Sequence, residues 1–389
     1  MNKLIIRAGT LIDGLSDTPR YDMAITVIDG LIEAVAPWAG VPEGMEAMDC
    51  TGQTVMPGLI NAHVHLGMQP YATDPVHEMP FAFSVLIEQQ LKTLLHSGVT
   101  LIRNQGTADF YDLYAKQTVD AGLIDGPDIL TCGPVLTTPD GHGRQMGLVC
   151  QGVGDCVRRA QEIVERGVDT LKIIATGGMM TQGTSLDAAP YSVPELQAMV
   201  EVAEAAGLTS SVHAHGAVGM RNAVLAGVTT VEHGTFLADD ILEEMLRRGT
   251  WLCPTLTAPH SIKTFGREGG LPEEMMLKMD RAYGVRMASF SKAYKAGVRI
   301  GLGTDAGTPN NPFDKTWFEL KMMTEHGVSN MAALQIATAR TAAMLQMPKH
   351  GAVAPGRFAN LLVLENNPLE DITTLRNPLK VIKKGMVYR

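Results

Sequence analysis

Short apolar runs recur along the chain, each following a glycine. A helix-length stretch closes on Gly and an aliphatic or β-branched residue comes next. This happens at Gly98-Val99, Gly122-Leu123, Gly167-Val168, Gly207-Leu208, Gly227-Val228, Gly249-Thr250 and Gly297-Val298. Glycine past a helix end accepts the left-handed backbone that terminates the helix, and the apolar run beyond it predicts a buried strand. Six strands follow directly: Val99–Asn104, Thr170–Ala175, Thr209–His213, Thr229–His233, Trp251–Thr255 and Arg299–Asp305. After Gly122 a short loop precedes Asp128–Val135, and Val55–His65 comes first of all. Eight strands alternating with helices predict an α/β chain whose parallel sheet closes as a (β/α)8 TIM barrel over residues 55–351. The competing arrangement, a doubly wound open sheet, usually has fewer strands and carries its site at a switch point. Ser192-Val193-Pro194-Glu195 reads as a capping box that opens the helix after the fourth strand.

The two ends follow a different rhythm. Residues 1–54 alternate and turn, with Asp29-Gly30 between two apolar runs as a hairpin signal. Residues 352–389 behave likewise around Leu361-Leu362-Val363-Leu364 and Val381-Ile382. Neither end is large enough to fold comfortably alone. The prediction is one small, discontinuous β-sandwich domain made of 1–54 and 352–389 beside the barrel.

Composition narrows the picture. The 389 residues are 45% hydrophobic, enough for a large core, and the net charge of −9 argues against nucleic acid as a partner. No run of eighteen apolar residues appears, so no membrane span is expected. The first residues lack the apolar core of a signal peptide because Arg7 interrupts them. The five cysteines, Cys50, Cys132, Cys150, Cys156 and Cys253, are odd in number and form no Cys-x-x-Cys pair. Free thiols in a reducing cytoplasm are the simplest account; Cys150 with Cys156 is a weaker candidate metal pair. The 23 methionines are read as core filler.

The candidate chemistry lies in six side chains: His63, His65, Lys172, His213, His233 and Asp305. All fall at or near predicted strands, taken one after another. On a strand, residues i and i+2 share a face, so His63 and His65 can grip one metal together. Imidazole and carboxylate suit zinc and its neighbours better than calcium or magnesium. The isolated histidines His77, His96, His260, His326 and His350 are read as structural.

These residues sit in motifs that resemble the metal-dependent amidohydrolase superfamily, and within it the prolidase-like and imidazolonepropionase-related branch. The motifs are Pro57-Gly58-Leu59-Ile60-Asn61-Ala62-His63-Val64-His65, Leu171-Lys172-Ile173, Val212-His213-Ala214-His215-Gly216, Val231-Glu232-His233-Gly234 and Gly303-Thr304-Asp305-Ala306. The C-terminal run from Gly351 to Leu364 also fits, with Asn360 where the family usually has Asp. The resemblance implies two divalent metal ions, most simply zinc. It assigns His63, His65 and Asp305 to a buried metal and His213 and His233 to a second. Lys172 would take up carbon dioxide and bridge both as a carbamate. His213 better fits the ligand position on the fifth strand, which leaves His215 to contact the substrate or support the metal. In the loop after strand three, His142 is placed to polarise the scissile carbonyl and Arg144 to pair with a substrate carboxylate; a plain Gly-rich turn is the alternative. Arg103, followed here by Asn104 where the family often has Asp, is read as structural.

The implied activity is hydrolysis of a carbon–nitrogen bond in a small amide: a dipeptide, an N-acyl amino acid or an aryl amide. A metal-bridging hydroxide would attack, and Asp305 would shuttle the proton. Hydrolysis of a cyclic amide, lactam or imidazolone, is the first alternative. A one-metal deaminase of the same superfamily is a second, against which Lys172 argues. A non-enzymatic scaffold would typically have lost ligands. The substrate is expected to be decided by loops His142–Gly154, Gly177–Tyr191 and Thr257–Glu274. A homo-oligomer is expected, of an order the sequence does not give.

Overall fold

The computed structural model describes residues 2–41, 46–71 and 79–389. His77 lies outside the described residues. The glycine punctuation is realised: Gly98, Gly122, Gly167, Gly207, Gly227, Gly249 and Gly297 all have positive φ. At Gly249 and Gly297 the left-handed residue is the helix cap itself, after α6 (Asp239–Arg248) and α8 (Glu273–Ala296). The capping box is present at the start of α4 (Val193–Ala205), where the Glu195 carboxylate accepts the Ser192 N–H at 2.8 Å.

Both chain ends enter one seven-stranded sheet. Its strands are β1 (Lys3–Leu11), β2 (Arg20–Ile28), β3 (Leu31–Pro37), β4 (Met48–Pro57), β14 (Leu361–Leu364), β15 (Lys380–Lys383) and β16 (Met386–Val387), in the order β16-β15-β14-β4-β1-β2-β3. The Asp29-Gly30 turn joins β2 to β3 as expected, in an antiparallel hairpin. Period-2 alternation divides β4 and β14 between two cores. Val55, Leu361 and Val363 pack with Ile6, Ile25 and Val27, while Met56, Leu362 and Leu364 face the main core. Asp128 ties the sheet to the rest of the molecule: its Oδ1 lies 2.9 Å from both Lys383 Nζ and Lys384 Nζ.

The remaining strands are parallel. One group is β5 (Leu59–Val64), β6 (Val99–Asn104) and β7 (Asp128–Leu130). The other runs β13-β12-β11-β10-β8-β9, comprising β8 (Val135–Thr137), β9 (Gly147–Val149), β10 (Thr170–Ile174), β11 (Thr209–Ala214), β12 (Thr230–His233) and β13 (Trp251–Cys253). Three expected strands differ. Val55–His65 is cut at Gly58, whose N–H bonds Asn360 on the terminal sheet while the next N–H, of Leu59, bonds Gly98. The border between the two sheets therefore falls at Gly58. Asp128–Val135 is cut into β7, which pairs with β6, and β8, which pairs with β10. Arg299–Asp305 forms no continuous ladder. Its partners are divided, with bridges from Ile300 to Leu252 and from Ala306 to Val64.

Among the described residues, no helix is long and apolar enough to cross a membrane.

Candidate metal centre

The strand ends bring the predicted residues together. His63 ends up on β5 with its Nε2 3.2 Å from Asp305 Oδ1, and His65 Nε2 lies 3.0 Å from the same oxygen. His233, closing β12, places Nε2 2.9 Å from His213 Nδ1 on β11. His215 stacks on His233 with ring centroids 4.7 Å apart. His142 reaches in from its loop, 4.5 Å from His213 between centroids, with Nδ1 2.7 Å from Thr181 Oγ1. Lys172 projects from β10 and is 1% exposed. His233 and Asp305 both have left-handed backbone, at φ 75° and 62°. For residues other than glycine this is uncommon and is sustained by the surroundings, a feature that concentrates at functional sites.

The donor set fits a metal ion on three counts. First, His213, His215 and His233 offer three nitrogens within 4.8 Å of one another, and His63, His233 and Asp305 form a second such group. Second, three of the buried side-chain atoms without a hydrogen-bond partner among the described residues belong to this cluster: His63 Nε2, His65 Nδ1 and Lys172 Nζ. Orphaned buried polar atoms are costly, and an unrecorded ion is one standard resolution. Third, burial pushes His65, His213, His215 and His233 below the usual imidazole range, so they are neutral and carry a free lone pair at neutral pH. Burial would raise the Asp305 carboxyl, but the neighbouring His63 ring, with His65 close beside it, holds it well below the carboxylate range.

Two residues support the site from behind. Glu232 Oε2 lies 2.7 Å from His63 Nδ1, and Arg103 Nη2 donates to Glu232 Oε1 at 2.7 Å. Burial alone would raise Glu232, yet Arg103 and His63 hold it ionised. A carboxylate behind a ligating histidine fixes the ring and leaves the far nitrogen as the donor. Glu232 was not singled out in the sequence, although an acid in the fully buried β12 demands a partner, and Arg103 in the equally buried β6 is one.

The cavity above these groups is lined by His65, His142, His215, His233 and Asp305 together with a thioether wall of Met68, Met146, Met179, Met180 and Met279. Each of the three loops expected to decide the substrate contributes: Gln145 and Met146, Met179 and Met180, and Ala258, Pro259 and Ile262. Arg144 does not. Gly143 turns the chain at φ 75°, and Arg144 is left exposed while the next two residues face the cavity. A different cation is present instead: Arg286 of α8, 2% exposed, lines the cavity. The sequence carried a signal for it, since Arg286 falls on the buried stripe of α8 with Met279, Ala282, Phe290 and Ala293. His96, His260, His326 and His350 stay outside the cluster. Cys150 Sγ sits 3.1 Å from the Tyr191 hydroxyl, and neither Cys150 nor Cys156 joins a candidate metal group among the described residues.

Comparison with known proteins agrees with this geometry. Residues 54–387 match the amidohydrolase family. Ochratoxinase from Aspergillus niger is 27% identical over 423 residues, spanning 99% of this chain and 86% of that protein. A Xaa-Pro dipeptidase crystallised with methionine in its active site is 30% identical, with a TM-score of 0.93 and full coverage of both chains. A prolidase in complex with N-methylphosphonate-L-proline is 26% identical, with a TM-score of 0.91 over all of both chains. The chain belongs to the amidohydrolase family and is a hydrolase acting on carbon–nitrogen bonds.

Proposed function

We propose that the chain hydrolyses the amide bond of a small molecule, a dipeptide, N-acyl amino acid or aryl amide, at a binuclear metal centre. His63, His65 and Asp305 would hold one ion and His213 and His233 the other, with Lys172, once carboxylated, supplying an anion to both. The observation that carries this is the buried, unpartnered Nζ of Lys172 among the other donors. Burial pushes the Lys172 ammonium down toward the neutral amine. A neutral amine can add to carbon dioxide, forming an N–C bond and releasing one proton, and the product is an anionic carbamate with two oxygens. The cost of a bare buried cation is thereby removed. Divalent ions, most simply zinc, would polarise the scissile carbonyl and make water nucleophilic at neutral pH.

The chain's own groups supply the rest. Burial pushes His142 down to about 4, so its ring is neutral at pH 7. With Nδ1 engaged by Thr181, Nε2 is left to donate to the substrate carbonyl oxygen. Asp305 stays ionised, accepts the proton of the attacking water and returns it to the leaving nitrogen. His215, which lines the cavity where His213 does not, contacts the substrate. The methionine wall excludes water and takes an apolar group.

The architecture is read as a closed (β/α)8 barrel capped by a curled, sandwich-like terminal sheet. For the barrel, the support is the backbone bonds that bridge its gaps: Thr170 N to Thr131 O at 3.1 Å, Leu252 N to Arg299 O at 2.9 Å and Ala62 N to Leu302 O at 2.8 Å. For the sheet, it is Ile32 N to Arg357 O at 2.8 Å and Ala359 N to Gly30 O at 2.9 Å, which fold edge strand β3 back toward the approach to β14.

A panel of dipeptides, N-acyl amino acids and aryl amides incubated with metal-loaded protein tests the reading by the amine released. At least one class should be turned over in a manner abolished by chelation. If the panel is inert while a lactam, an imidazolone or an amino-purine is consumed, the linear-amide assignment is wrong.

A further inference from the structure

Arg286 is a buried cation without an anion. Its Nε donates to Pro254 O at 3.0 Å, and one terminal nitrogen, Nη2, donates to Pro254 O at 2.8 Å and Thr255 O at 3.0 Å. The same Nη2 contacts the Thr255 hydroxyl and lies 2.9 Å from His233 Nδ1. No hydrogen bond of Arg286 goes to a carboxylate, and none is made by Nη1, among the described residues. A guanidinium stays protonated in proteins, so the charge cannot be shed by losing a proton. Taking such a charge out of water is expensive unless a partner compensates it. The nearby carboxylate of Asp305 is already engaged by His63 and His65, and Glu319 is engaged by the Leu256 and Thr257 N–H groups and the Thr257 hydroxyl. The guanidinium opens instead onto the cavity shared with His215, His233 and Asp305.

We infer that Arg286 binds a carboxylate of the substrate, which makes the preferred substrates amides of α-amino acids with a free carboxyl group. This rests on the amide-hydrolase reading above. The fork of one free Nη offers at most two N–H donors, which suits a carboxylate better than the three oxygens of a phosphate. The backbone carbonyls of Pro254 and Thr255 fix the guanidinium plane, so little side-chain entropy remains to be lost when the anion arrives. The carboxylate is then held beside His233, at the edge of the donor cluster, while the methionine wall receives the apolar side chain. The role expected of Arg144 passes to a residue on a helix rather than a loop, where it is held more rigidly.

The test compares N-acetyl-L-methionine with its C-terminal carboxamide as substrates, and L-methionine with L-methioninamide as calorimetric ligands. Wild type, Arg286→Met and Arg286→Lys are used at matched metal content. Wild type should favour the acid over the amide on the order of 10–100-fold, the worth of a charge-assisted hydrogen-bond pair. Arg286→Met should erase the preference, mainly through KM, and Arg286→Lys should keep only part of it because an ammonium lacks the planar fork. If wild type treats acid and amide alike, or Arg286→Met keeps the preference, Arg286 is not the anchor. Should Arg286→Met fail to fold, the wild-type contrast and its reduction in Arg286→Lys decide the matter. Calorimetry separates the two readings. A binding contrast without any turnover upholds Arg286 and sinks the amide-hydrolase assignment, whereas turnover without a contrast does the reverse.

Discussion

Lys172→Ala is expected to lower kcat/KM by roughly 10³-fold or more, the equivalent of several kcal/mol of metal-centred transition-state stabilisation. The residue is buried on β10 with an unpartnered amine, and only as a carbamate does that position supply an anion to two cations. The alanine variant keeps the strand, because Lys172 makes no side-chain hydrogen bond that its loss would break. It leaves a channel about as long as the lost side chain. Acetate or propionate can enter that channel and offer the missing carboxylate oxygens, so partial recovery of rate with added short acids is the specific signature. Lys172→Arg should fail without rescue, since guanidinium stays cationic, forms no carbamate and fills the channel. Steady-state rates measured with metal analysis of each variant check this. Full metal content and full activity in Lys172→Ala would remove the bridging role.

Asp305→Asn should lower kcat by about 10²–10⁴-fold, the usual worth of a positioned acid–base group, while the fold survives. Asparagine keeps the size of the side chain and one oxygen for a metal. It also tolerates the left-handed backbone that Asp305 adopts at φ 62°. What it lacks is the ability to take a proton from water and give it to the leaving nitrogen. His142 and His215 line the same cavity and are the rival shuttles. Burial keeps both neutral at pH 7, so either could in principle accept a proton. Turnover of Asp305→Asn, His142→Asn and His215→Asn at equal metal occupancy separates them. An Asp305→Asn enzyme within about tenfold of wild type, well short of a general-base loss, beside a collapsed histidine variant would move the shuttle to that histidine.

Much of this site was legible because strand periodicity and ligand chemistry point the same way. His63-x-His65 declares a shared face, and a glycine ahead of a β-branched run marks where each inner strand begins. What the sequence concealed has identifiable physical causes. Within Val55–Val64 the Pro57-Gly58 step marks a break, but not a change of sheets, because the switch at Gly58 depends on Asn360 and Gly98 from distant parts of the chain. The eighth strand has the right composition but divides its hydrogen bonds between Leu252 on one side and Ala62 and His63 on the other. The Glu232–Arg103 pair joins β12 to β6, strands that are far apart in the sequence and share no ladder. Arg144 looked suitable because it lies two residues past His142 in a loop, but it is exposed while Gln145 and Met146 line the cavity. Arg286 lay outside the loops that strand-based reasoning searches, and its helical spacing was the available clue.

On the reading proposed above, two metal ions and the Lys172 carbamate together make the hydrolytic centre. Its most direct test is a metal titration of chelator-treated protein in bicarbonate buffer, following bound metal and turnover of an active amide in the same samples. Activity should rise with added zinc and reach its plateau only near two equivalents per chain. Full activity at one equivalent, or in protein reproducibly free of metal, would contradict it.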